Sequence, residues 1–209
     1  MMRRPLAKRL APTQERKGAS GTHAQRGFTL VELMVVVAII AVLAVIAIVA
    51  YRAILNSSKV AEAQQVVQSI RAAQEAYHAE TLQYANVSSS PTATYPAASP
   101  GAFKTQWGAA CGAQCNTSPT WDNLGVHVDG PVQFGYVTTA GAAGVTANPA
   151  QIVMTGKTVT LPTKPSTDWF YIAATADLDG NGGTAFGAGN TNVYSTSWSN
   201  EVWVDNEGQ

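Results

Sequence analysis

Over residues 28–84 the sequence contains neither glycine nor proline. These are the two residues that most readily interrupt a helix, glycine through backbone freedom and proline through its missing donor. Their absence removes the usual local reasons for the chain to turn. Cysteine is almost absent too: only Cys111 and Cys115 occur, spaced CxxxC and without a second pair. That pattern does not fit a paired-cysteine zinc ribbon, and His127 alone does not complete a four-ligand site. The three histidines, His23, His78 and His127, are scattered. No serine elbow, phosphate-cradling glycine loop or paired-carboxylate spacing accompanies them. The sequence therefore offers no catalytic constellation, requires no cofactor, and reads as a non-enzyme.

Charge is scarce, at 12% of residues, and unevenly placed. Residues 1–27 carry seven Lys and Arg against Glu15 alone, whereas the remainder carries six against twelve acids. A basic leader before an apolar run is a targeting pattern with its basic side cytoplasmic. Aromatic residues do not interleave these charges, which argues against a nucleic-acid arm; no direct nucleic-acid site is identified elsewhere.

Residues 28–51, directly after the leader, are almost wholly apolar and long enough to cross a bilayer as a helix. An ordinary secretory core is about 7–15 residues and ends in a small-x-small cleavage site. Here Ala38, Ala41, Ala44, Ala47, Ala50 and Ala53 recur every third position, so no such site forms among them. Their ridge of small side chains suits close helix approach, and equally suits lipid. Residues 52–84 continue as an amphipathic helix. Ala63, Val67, Ile70, Tyr77, Thr81 and Tyr84 recur at steps of three and four, with Gln74 as the polar exception. Glu62, Gln65, Ser69 and Glu75 occupy the other face, and Arg71 is expected to pair with Glu75 at i,i+4. A helix over 28–84 would be roughly 85 Å long, so about half of it must project from any small domain.

Residues 86–130 read as loop, broken by Pro91, Pro96 and Pro100. Beyond them, segments 132–138, 150–156, 168–175, 192–198 and 201–205 are rich in β-branched and aromatic residues and predict short strands. A tight turn is expected at Ser199-Asn200. Antiparallel pairing is expected from the lack of helical crossovers. The expected fold is α+β, a long N-terminal helix packed on an antiparallel sheet of four to five strands. Four regions result: a basic leader, 1–27, without structure; an apolar helix half, 28–51; an amphipathic half, 52–84; and a β-rich head, 85–209. The five tryptophans are read as core.

The boundary sequence "RGFTLVELMVVVAII" resembles the type IV prepilin signature: a basic leader ending in glycine, then Phe-Thr-Leu-x-Glu-Leu and an apolar run. The resemblance is close over about 28–60 and looser beyond. It implies cutting between Gly27 and Phe28 by a membrane-embedded prepilin peptidase, N-methylation of the new Phe28 amine, and extraction of the helix into a filament. The implied partners are other pilin subunits and an inner-membrane assembly platform. The chain would span the inner membrane once before assembly, then lie in an extracellular pilus. The alternative within the same resemblance is a type II secretion pseudopilin in a periplasmic filament. Three features depart from the pattern. The leader is long, Val49 stands where relatives carry a proline, and Ala41 where they often carry a glycine. The last two predict an unbroken helix through 40–55 and favour a specialised or minor subunit.

Glu32 is the one carboxylate in the apolar run. In a bilayer it lies about 6 Å from the cytoplasmic edge, within reach of water. In a dry filament core an isolated charge is expensive unless paired. The resemblance supplies a partner, the Phe28 amine of a neighbouring subunit, and a pair formed at one axial offset selects register. A plainer reading makes Glu32 a helix-start acid favoured by the dipole.

In the head, Cys111 and Cys115 are expected to form a small disulfide loop, since an exported chain meets an oxidising compartment. Residues 177–182, "DLDGNG", match the front half of a calcium loop, with Asp177, Asp179 and Asn181 alternating and a backbone carbonyl near Gly183. The distal glutamate is missing, Ala188 standing in its place. An Asx-type turn explains the same residues without a metal.

Overall fold

The computed structural model describes residues 27–101, 103–108, 110–181, 186 and 189–206. The leader up to Arg26, and with it the expectation that it lacks structure, lies outside the described residues; so does Gly183. The chain divides into two units, one up to Leu43 and one from Ala44 onward.

Helix α1 spans Leu30–Thr81 without interruption. The expected unbroken stretch through 40–55 is present, as the glycine- and proline-free sequence dictates. Every residue over 27–55 is exposed. Further along, Val60, Ala63, Val66, Val67, Ile70 and Gln74 are buried, the face that the three-four spacing marks out. Leu82 ends the helix in a left-handed conformation, φ 59°, and its N–H bonds the His78 carbonyl at 2.8 Å.

Beyond the helix lie six strands: β1 Gly135–Gly141, β2 Gln151–Met154, β3 Lys157–Thr160, β4 Trp169–Ala176, β5 Thr191–Thr196 and β6 Ser199–Asp205. They form a four-stranded sheet in the order β1-β4-β5-β6 and a separate β2-β3 ribbon, antiparallel throughout. The α+β expectation of a long helix on an antiparallel sheet is met. Strand β4 is buried along its whole length. Its side chains alternate between two cores, as the period of two requires. Phe170, Ile172 and Ala174 join the helix-side core with Val67 and Ile70. Trp169, Tyr171 and Ala173 join a second core with Ile152 and Met154 of the ribbon. At the β1-β4 edge the Trp169 ring lies flat against Gly141, where an added Cβ would meet its atoms at 2.6 Å.

Three expectations about the strands need correction. The strand expected at 132–138 begins later, because Val132 bridges Thr105 instead of joining the sheet. Strand β3 lies outside the expected set: "KTVT" lacks apolar alternation and is mostly exposed. The signal for it is Gly156, whose φ of +76° closes the hairpin after Met154. The last turn falls at Ser197-Trp198, not Ser199-Asn200, since Thr196 already pairs with Ser199.

The physical reason for that turn is Arg71. Instead of pairing with Glu75, its guanidinium crosses to the sheet. It donates to Ser195 Oγ at 3.1 Å and to the carbonyls of Thr196 and Ser199 at 3.2 and 2.6 Å. A further bond reaches Asn200 Oδ1 at 2.8 Å, and the cation lies 5.8 Å from the Phe170 ring centroid. A planar donor fork satisfies several fixed acceptors at once, which a flexible exposed carboxylate does not match. Glu75 instead accepts from the Tyr84 hydroxyl at 3.2 Å. Burial, followed by the charge of Glu75, raises the pKa of that hydroxyl.

Gln74, the polar exception on the buried face, is fully buried. Its Nε2 donates to the Ala85 carbonyl at 2.7 Å and to Thr138 Oγ1 at 2.8 Å. Its Oε1 accepts from the Ala85 N–H at 2.8 Å. One amide thereby satisfies both backbone groups of a buried residue. Gln74→Leu keeps the volume but leaves those groups unpaired, so we expect a loss of about 3 kcal/mol in denaturant unfolding. A loss below about 1 kcal/mol would show that water or a neighbouring group replaces the amide.

The 86–130 segment, read as loop, is irregular except for a 3₁₀ turn, Gly112–Gln114, and a short helix, α2 Trp121–Leu124, and it is packed. Tyr95 and Tyr136 exchange both backbone hydrogen bonds, at 2.9 and 2.7 Å, and Ser88 N–H bonds the Thr138 carbonyl at 2.9 Å. Trp107, Trp121, Leu124 and Val126 enter the helix-side core. The free edge of β1 is thereby partly covered.

Candidate functional site

The start of α1 is built from Thr29 and Glu32. Thr29 is the last residue before the helix, and Glu32 is its third residue. The Glu32 N–H bonds Thr29 Oγ1 at 3.2 Å. In return, Glu32 Oε2 accepts from the Thr29 N–H and the Thr29 hydroxyl, both at 2.8 Å. This reciprocal arrangement is a capping box, which satisfies donors that the first helical turn leaves orphaned. The carboxylate is thus held by its own chain, at the positive end of the helix dipole. Thr29 is not among the sequence candidates. Its signal is nonetheless present, because Thr-x-x-Glu before an apolar run is the sequence form of a capping box.

The preceding residues are open. Phe28 is 82% exposed. A Cβ built on Gly27 would meet nothing within 4 Å, and its backbone is not left-handed. Nothing within the described chain therefore requires glycine at position 27. Helix α1 itself is long and apolar enough to cross a membrane. Residues 22–48 match the family described as the prokaryotic N-terminal methylation motif. The chain carries the type IV prepilin signature. No curated protein and no solved structure matches it.

The motif supports a type IV pilin-like or pseudopilin protein and points to a structural role. It implies processing by prepilin peptidase and assembly with other pilin subunits. Together with the exposed apolar helix, it is consistent with membrane insertion before assembly.

The remaining candidates lie in the head. Cys111 and Cys115 form a disulfide, with Cα atoms 5.6 Å apart. The bond encloses a 3₁₀ turn, Gly112–Gln114. A ring this small stiffens its own loop, with loop-entropy stabilisation of about 2 kcal/mol. In the 177–181 loop, Asp177 Oδ1 accepts from the N–H groups of Gly180 and Asn181, at 2.8 and 3.2 Å. Asp179 accepts from Asn181 N–H at 3.3 Å and from its amide nitrogen at 2.7 Å. These are Asx-type bonds. Among the described residues, no group of three or more His, Cys, Asp and Glu is placed to share a metal ion.

Proposed function

We propose that the chain is a structural subunit, of the minor kind, of a type IV pilus used for adhesion, twitching motility or DNA uptake. It would be anchored once in the inner membrane, cut after Gly27, and drawn by the assembly platform into an extracellular filament. The observation that carries this reading is the prepilin signature on an exposed apolar helix whose acid is set at its first turn. The unbroken helix at Ala41 and Val49 supports a specialised subunit, and the packed, disulfide-bearing 86–130 segment supports a surface pilus. Shearing cells and probing the released filaments tests it. The chain should appear in that fraction at a low ratio to a second, abundant pilin. Its retention in the periplasm, with export of secreted proteins lost on deletion, would favour the pseudopilin alternative instead.

That alternative draws on the 177–181 loop. Its calcium reading is a proposal of weak binding by Asp177, Asp179 and Asn181, with a backbone carbonyl near Gly183. Two charges and no distal glutamate place the expected dissociation constant at about 10⁻⁴ to 10⁻³ M. Calcium at about ten times that constant should stabilise the folded head by about 1.4 kcal/mol, a melting shift of a few degrees. Magnesium should do less, because it demands tighter octahedral geometry. Asp179→Ala should abolish the shift. A wild-type protein indifferent to calcium would leave an Asx turn and remove the support for the pseudopilin reading.

A further inference from the structure

Where α1 ends and β4 begins, the head opens a cleft of about 410 Å³ that the filament reading does not use. One wall is a stacked pair, His78 in the last turn of the helix and Tyr84 just beyond it, with ring centroids 4.3 Å apart and planes 23° apart. The Tyr84 ring in turn stands edgewise on Phe170, at 4.8 Å, and its hydroxyl is engaged by Glu75. The wall is therefore held in place. From Tyr51 to His78 the helix rises about 40 Å, so the cleft stands clear of the apolar run.

Asp168 faces His78 across this cleft. Its Oδ1 accepts from the Ala143 N–H at 2.9 Å, which fixes the carboxylate. Its Oδ2 lies 3.9 Å from His78 Nε2, too far for a direct hydrogen bond. Neither of these two atoms has a hydrogen-bond partner among the described residues. Both side chains keep open surface, 23% for Asp168 and 35% for His78. Two unmet polar atoms at that spacing suit one bridging hydroxyl, with a bond of about 2.7–2.9 Å to each side. Hydroxyls complete the rim. Ser166 and Thr167 are exposed, and their side chains make no hydrogen bond among the described residues. Ser197 Oγ accepts from the Phe170 N–H at 3.2 Å, and among the described residues nothing takes its own proton. No Lys or Arg lines the cleft, so an anion finds no fixed counter-charge beside Asp168. Among the described residues no third His, Cys, Asp or Glu joins the pair to hold a metal ion.

A carboxylate acceptor, an imidazole nitrogen opposite it and neutral hydroxyls around them complement a ligand that is itself neutral and rich in hydroxyls. We propose that this cleft binds a sugar residue of a glycan. One ligand hydroxyl donates to Asp168 Oδ2 and accepts from His78 Nε2–H. Its neighbours on the sugar ring exchange hydrogen bonds with Ser166, Thr167 and Ser197. The bond to the carboxylate is charge-assisted and so the strongest of the set. The volume lies within the range for small-molecule pockets, about 300–1,000 Å³, at its smaller end, which suits a single sugar ring. The site belongs to the folded head and does not rest on which filament the chain enters.

The test uses the full chain in a polyoxyethylene detergent, which contains neither sugar nor ammonium. The methyl glycosides of glucose, galactose, mannose and N-acetylglucosamine are the probes; choline is the cationic control and acetate the anionic one. The three histidines give three sets of imidazole resonances by NMR, and His78→Phe, which keeps a ring on Tyr84, identifies the set that belongs to the cleft. At least one glycoside should move that set saturably at millimolar concentration, and neither control should. Asp168→Asn keeps an acceptor for the Ala143 N–H but puts an amide donor in place of Oδ2, and should weaken glycoside binding about tenfold, equivalent to about 1.4 kcal/mol. Ser166→Ala combined with Thr167→Val, both at exposed positions, should weaken it about threefold. A His78 set unmoved by all four glycosides would overturn the assignment. So would a response to choline or acetate as strong as that to a glycoside, or glycoside affinity unchanged in Asp168→Asn. Should His78→Phe or Asp168→Asn fail to fold, calorimetric titration of wild type against the Ser166→Ala, Thr167→Val double variant gives the same decision.

Discussion

The mature protein recovered from membranes is expected to begin at Phe28, with one added methyl group on its amine. The leader places its charge on the cytoplasmic side, and the motif at residues 22–48 spans the cut. Gly27→Val gives the stronger form of the prediction. A Cβ at that position meets nothing in the chain, so the substitution has no folding reason to harm the protein. Processing should nevertheless fall more than tenfold, equivalent to over about 1.4 kcal/mol of lost recognition. Uncut chain carrying Gly27→Val should then accumulate in the membrane and stay out of filaments. A wild-type chain that keeps Met1, or one that begins near Tyr51, would refute the prepilin reading outright.

Glu32 carries the second large effect, and the capping box makes its test sharper than alanine substitution alone. Glu32→Ala removes both the cap and the charge. Glu32→Gln keeps the cap, because glutamine serves equally at the third helical position, and removes only the charge. Thr29→Val does the reverse. If Glu32 selects register by pairing with the Phe28 amine of a neighbour, Glu32→Gln should match Glu32→Ala and be nearly absent from sheared filaments. Thr29→Val should still assemble, at a cost of about 1 kcal/mol in helix-end stability. Membrane insertion should survive in all three. Should Glu32→Gln assemble like wild type while Thr29→Val fails, the carboxylate is a cap and the register role is lost. On the register reading the two roles would be sequential: the carboxylate is held by Thr29 in the single chain, and its release toward a neighbouring amine would belong to assembly.

The helix and its buried face are legible in the sequence because a gap of 57 residues without glycine or proline, and a three-four spacing, both act locally. Strand identity is legible for β4, whose apolar run is buried on both sides, and illegible for β3, whose residues mostly face solvent. Strand ends are displaced where a distant partner decides them, as Thr105 does for Val132 and Arg71 for the final turn. Gln74 and Arg71 look in the sequence like an exception and a surface pair. Their partners lie 64 and more than 120 residues away along the chain, and periodicity does not register contacts at that separation. The Thr29–Glu32 box is local and open to sequence reading.

The grip of Arg71 has a mechanical consequence. In the proposed filament a subunit is held by its helix, so tension on the head would arrive along α1. At Arg71 that pull meets two strands together, since Ser195 and Thr196 belong to β5 and Ser199 and Asn200 to β6. One turn on, Gln74 holds the Ala85 backbone and β1. These attachments are loaded side by side instead of one after another, so they resist as a group. Sliding the helix out would require several of them to yield at once, so in the proposed filament the head would keep its sheet under traction.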